Sequence, residues 1–174
     1  MRIPALPALL LALLACAAPA FAQTDAPSTP QDRLRFVTAV HDLERTPLDS
    51  RLQGERSWAI GWLTDAPDIT VTVCAEPLGG VPDKNYPHAA EVFVQYSLAM
   101  GAFIIENPAG ASDPQAQQLA GVESALNAYR VMRKAEPDGR QSPQLDKLLE
   151  AQGRGELPGM VQKAYLSCKK KGAR

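Results

Sequence analysis

Two histidines each precede a glutamate by three residues: His41 with Glu44, and His88 with Glu91. On helices that interval puts both side chains on one face, so two such pairs brought together would offer a His2Glu2 set of ligands to a transition metal. A simpler account needs no ion. His41 falls in the last turn of one expected helix and Glu91 in the first turn of another, where the helix dipole favours a base and an acid respectively. The expectation is therefore no metal and no cofactor, with these four residues as the ones that would hold a metal.

A second pattern centres on Glu106, which closes the most apolar stretch of the chain directly after Phe103, Ile104 and Ile105. A carboxylate at a helix C-terminus beside apolar surface is opposed by both dipole and desolvation, and it needs either a neighbouring cation or its own proton. The second remedy is how glycosidases make a general acid, which makes Glu106 the one catalytic candidate. The first is the structural expectation. Glu123, Asn127 and Arg130 form a polar row on the next helix, and Arg130 or Arg133 would supply the cation to an ion-pair or binding cluster with Glu106.

Trp58 and Trp62 stand one helical turn apart beside Arg51 and Glu55. If exposed, they would form an aromatic binding surface. The preferred expectation has them closing the edge of a core, with Arg51 and Glu55 as an i,i+4 pair. No G-x-S-x-G, H-E-x-x-H, P-loop, calcium-loop or haem-attachment pattern occurs, and neither histidine has a supporting serine or cysteine motif.

The elements that must position these residues are helical. Leu34, Val37, Val40 and Leu43 recur at intervals of three, and a second helix spans about 50–63 before Asp65-Ala66-Pro67. Ile69-Thr70-Val71-Thr72-Val73-Cys74 alternates with period two and is β-branched up to the cysteine, which favours an extended segment; no second run exists to pair with it. A loop rich in proline and glycine follows over 76–87. The segment 86–106 is apolar nearly all round, with Glu91, Gln95 and Glu106 as its strongly polar members after His88; it is expected to be the central core helix rather than a membrane span. Ser112-Asp113-Pro114 and Ser142-Pro143 have the cap-then-proline order of helix starts. They open helices to about Ala135 and to 153–155, and a last helix covers 157–168. The fold class is all-α: a compact irregular bundle of about six helices with one short extended segment (69–74) and one disulfide.

That disulfide is expected between Cys74 and Cys168. It follows from the amino terminus, where Arg2 precedes a Leu- and Ala-rich run to Ala18 and then Ala20-Phe21-Ala22, the pattern of a cleaved secretory signal peptide. Leu13-Leu14-Ala15-Cys16 resembles the lipobox of bacterial lipoproteins and would instead anchor the chain through acylated Cys16. Either route delivers the chain to an oxidising compartment with the same two cysteines left in its folded part. The domain plan is a signal peptide (1–22), a flexible linker (23–30), a single helical domain (31–168) and a basic tail (169–174).

The whole chain carries a formal net charge of −1, and Arg2 is the only charge in the first 22 residues. Without a basic field, nucleic acid is not an expected partner. The tail is expected to be frayed and solvated, and membrane contact is expected only through lipidated Cys16. Export, small size, a single disulfide and absent catalytic motifs together point to a periplasmic or secreted, non-enzymatic accessory or inhibitor-like protein of the cell envelope that binds a protein partner. The alternative is a small glycan hydrolase using Glu106.

Overall fold

A computed structural model describes residues 27–80 and 85–172. The expected signal peptide, with both Ala22 and Cys16, the first half of the expected linker and the last two residues of the tail lie outside the described residues.

Six helices follow one another: α1 (Pro30–Arg45), α2 (Gln53–Asp65), α3 (Ala89–Glu106), α4 (Pro114–Ala135), α5 (Pro143–Gly153) and α6 (Leu157–Gly172). Their starts are set by local side-chain chemistry. Thr29 caps α1, its hydroxyl accepting from the Asp32 amide at 3.1 Å, so the helix begins one residue inside the expected linker. Asp113 caps α4 by accepting from the Gln115 and Ala116 amides, and Ser142 caps α5. In each of the three a proline occupies the first turn, where its missing N–H costs no hydrogen bond.

A 3-10 turn, Ser50–Leu52, leads into α2 and is capped by Asp49. Hydrogen bonds from the Arg51 side chain and backbone hold the Asp49 carboxyl down at about 2. Arg51 is thereby committed to Asp49 at 2.7 Å, while Glu55 pairs with Arg35 of α1 at 3.0 Å. The expected Arg51–Glu55 pair is replaced by these two, because a 3-10 turn precedes Gln53 and Arg51 lies outside the α-helix.

Among the described residues, α3 alone is long and apolar enough to cross a membrane. Much of its surface is covered by protein instead: α4 forms its largest interface, and α1 and α2 pack beside it. On one side Tyr96 and Met100 meet Val122, Leu126, Tyr129 and Met132 of α4, with α5 and α6 adding Leu148 and Val161. On the other, Leu98 and Ala102 meet Phe36, Val40 and Leu43 of α1 and Ala59 of α2.

The segment 69–74 is a lone extended strap without a backbone–backbone hydrogen bond to any described residue. Side chains hold it down. Ile69 and Cys74 are buried, and Gln118 donates its amide to the Thr72 carbonyl at 2.6 Å. The Tyr96 hydroxyl sits 2.8 Å from the Cys74 carbonyl and also against the Gln118 side-chain oxygen. Cys74 is joined to Cys168 of α6, with Cα atoms 6.4 Å apart. Beyond Cys168 the helix runs on to Gly172, so Lys169, Lys170 and Lys171 extend α6 where a frayed tail was expected.

Burial pushes the phenols of Tyr86, Tyr96 and Tyr129 up from their ordinary value. The folded chain then keeps protons that the unfolded chain releases above about pH 10, so stability falls as pH rises past that point. Absorbance of ionised tyrosine, followed through an alkaline titration, should rise for these three rings together with loss of helical circular dichroism. Full ionisation with the helices intact would contradict their burial.

Candidate functional site

The last turn of α1, the C-terminus of α3 and the middle of α4 enclose a cleft of about 210 Å³. Its polar walls are His41 and Glu44 from α1, Glu106 from α3, and Glu123, Ser124 and Asn127 from α4. His41 Nε2 lies 2.8 Å from Glu106 Oε1 at the mouth. Deeper in, the Glu44 carboxylate accepts from Asn127 Nδ2 at 2.9 Å through one oxygen and from the Ser124 hydroxyl through the other. Ser124 accepts in turn from Gln95 Nε2 at 2.8 Å, and the same amide reaches the Val40 carbonyl at 3.1 Å. Outward, Arg130 donates to Asn127 Oδ1 at 2.7 Å and to the Gln152 side-chain oxygen.

A single chain of hydrogen bonds therefore runs from solvent-exposed Arg130 through Glu44 to Gln95, which is only 3% exposed. Helix spacing explains the convergence. Ser124 and Asn127 are three residues apart on α4, and His41 and Glu44 three apart on α1, so each helix turns one pair toward the other. Glu123 projects from the exposed side of α4 and makes no ion pair with a described residue.

Glu106, Glu123 and Asn127 thus share one cleft, and Arg130 reaches it only through Asn127. The partner beside Glu106 is the His41 ring, where an arginine of α4 was expected; Arg133 is instead committed to Asp146 at 2.8 Å. The four-residue metal set does not assemble. His88 stands just before α3 and pairs with Glu136 at 2.9 Å, whereas His41, on α1, meets Glu106 at the other end of α3. The length of α3 keeps them on the order of 25 Å apart. Glu91 has one buried oxygen that accepts no hydrogen bond from a described residue. Among the described residues, the three potential metal ligands that do lie together are Cys74, Glu76 and Cys168, and the two sulfurs are already joined. Trp58 and Trp62 are half-buried along the second core cluster. Trp62 lies 4.6 Å from Phe36, and the Arg35 guanidinium covers Trp58 at 3.8 Å, leaving no bare pair of rings for stacking.

Sequence reasoning missed Ser124 and the part Gln95 and Glu44 play. The available signal was a polar residue set beside apolar ones: Gln95 between Val94 and Tyr96, and Ser124 before Ala125 and Leu126. Polar groups at such positions are buried, and buried polar groups need partners.

The hydroxyl of Ser124 is engaged with a carboxylate and an amide, and the Nε2 of His41 with a carboxylate, so neither forms half of a serine–histidine nucleophile pair. What the cleft presents outward is carboxylate oxygen, which matches the donors of an ammonium or guanidinium group. No protein family, curated protein or solved structure compared with the chain matches it.

Replacing Glu44 by alanine strands the Ser124 and Asn127 donors and should cost about 1–3 kcal/mol of stability. Glu123→Ala, on the exposed rim, should stay within about 0.5 kcal/mol of wild type. Urea unfolding of both variants checks the contrast.

Proposed function

We propose that the chain is an exported, non-enzymatic binding protein of the cell envelope, and that the α1–α3–α4 cleft receives a cationic side chain of a protein partner. The observation that carries this reading is the set of three glutamates, Glu44, Glu106 and Glu123, around one open cleft whose inner donors are already tied to one another. Such a lining recognises positive charge without having to rearrange, because Glu44 is fixed by Ser124 and Asn127 and Glu106 is steered by His41. The Cys74–Cys168 disulfide is consistent with an oxidising compartment, in keeping with export.

The test is a titration of the chain, begun at Gln23, with a lysine- and arginine-rich peptide. Saturable binding that weakens as salt is raised, and is lost in Glu106→Gln/Glu123→Gln but kept in Asp138→Asn, supports the reading. Equal binding by the double variant overturns it.

A second reading keeps one geometric support, since Glu106 and Glu123 face the same cleft as a pair of carboxylates would in a glycan hydrolase. Against it, Glu106 is exposed and paired with His41, the reverse of the desolvated site in which a general acid holds its proton. Hydrolysis of peptidoglycan that disappears in Glu106→Gln would favour this reading over binding.

A further inference from the structure

On a different face of the molecule, the strap forms one wall of an apolar groove of about 470 Å³. Ile60 and Leu63 of α2 and Val94 and Leu98 of α3 line it, together with Ile69, Val71 and Val73. Two of its lining residues, Ile60 and Val73, are large apolar side chains 41% and 46% exposed.

The strap also has an open edge. In an extended chain the N–H and C=O groups of alternate residues point to opposite sides. The carbonyls of Thr72 and Cys74 point inward, to Gln118 and Tyr96. Alternation then directs the N–H and C=O groups of Val71 and Val73 outward, and they have no hydrogen-bond partner among the described residues. A β-branched segment with a free edge beside an apolar groove is a template for strand addition.

We propose that this edge pairs with the same edge of a second copy, forming a two-fold symmetric antiparallel dimer centred on Thr72. Centring there sets Val71 opposite Val73 of the second copy and Val73 opposite its Val71. These are hydrogen-bonded pairs, each exchanging two N–H to O=C bonds. Opposed side chains share a face, so the four valines cluster over the groove mouths and Val73 leaves solvent.

Charge selects the antiparallel direction. The strap itself is uncharged; Asp65 stands at its head, where Asp68 is already paired with Arg33 at 2.5 Å, and Lys169 and Lys170 follow Cys168, which is bonded to its tail. Antiparallel pairing brings acidic heads to basic tails, whereas parallel pairing would oppose like charges. Glu76, the acid nearest the tail, is turned inward with an oxygen 2.8 Å from Cys168 Sγ.

Sedimentation equilibrium of the chain begun at Gln23, with its disulfide intact, should show a concentration-dependent monomer–dimer equilibrium. Val73→Lys should raise the dissociation constant more than about tenfold, while Leu166→Lys, an equal change at an exposed site on α6, leaves it unaltered. Thr72→Cys should form an intermolecular disulfide under mild oxidation much faster than Thr70→Cys, since only Thr72 faces itself across the axis. A monomer throughout the micromolar range, a dimer indifferent to Val73→Lys, or equal crosslinking at 70 and 72 would each overturn the proposal.

Discussion

Replacing both Cys74 and Cys168 with serine should destabilise the domain by about 4 kcal/mol and lower its melting temperature by about 10 °C. The bond spans 94 residues of sequence, so removing it frees a long loop in the unfolded chain. The native state has little to compensate with. The strap forms no sheet with a described residue, and without the disulfide its hold on the domain rests on buried Ile69, Val71 packed on the larger core cluster, the Gln118 amide and the Tyr96 hydroxyl. Thermal unfolding with and without reductant measures the effect. A shift of under about 2 °C would mean that packing of the strap and α6, not the crosslink, holds this side of the molecule together.

Gly121→Val should cost about 2–3 kcal/mol, the largest expected loss from a single added side chain here. A Cβ at Gly121 would stand 2.8 Å from the Tyr96 carbonyl oxygen and 2.9 Å from Met100 Cγ, at the closest approach of α3 and α4. The carbonyl belongs to the backbone of the central helix and cannot turn away. Gly101→Ala makes a useful contrast: its Cβ would meet Leu63 Cδ1 at 2.8 Å and the rim of the Phe36 ring, and the leucine end can rotate. Its expected cost is about 1 kcal/mol. Gly61→Ala, with nothing within 4 Å on α2, should instead stabilise by about 0.5–1 kcal/mol. Denaturant midpoints of the three variants should fall in that order. Equal midpoints would place the helix contact elsewhere.

The helices were legible because their signals are local. Asp113-Pro114 and Ser142-Pro143 mark starts through hydrogen bonds made within one turn, and the apolar arc over 89–106 identifies the helix that must be covered. The cysteine pair was legible from the expected export signal and from the count of cysteines left in the folded part. The cleft was legible only in part. Glu106, Glu123 and Asn127 stand out as polar groups near apolar ones, but which side chain reaches Glu106 depends on how α1 is rotated against α3, and sequence spacing within either helix carries no record of that rotation. His41 arrives from 65 residues away. The same rotation takes Glu44 off the metal pattern and onto Ser124 and Asn127. Gly121 gave no signal at all, since a helical glycine looks identical whether it faces solvent or another backbone.

The central claim is that a cationic partner group enters the α1–α3–α4 cleft, and two-dimensional amide NMR tests it most directly. During titration with a lysine- and arginine-rich peptide, the Asn127 side-chain amide and the backbone amides of Ala120, Glu123 and Ser124 should shift saturably, and should stop shifting in Glu106→Gln/Glu123→Gln. Shifts confined to Ile60, Val73 and Val94 around the apolar groove, with those cleft signals unmoved, would contradict the account.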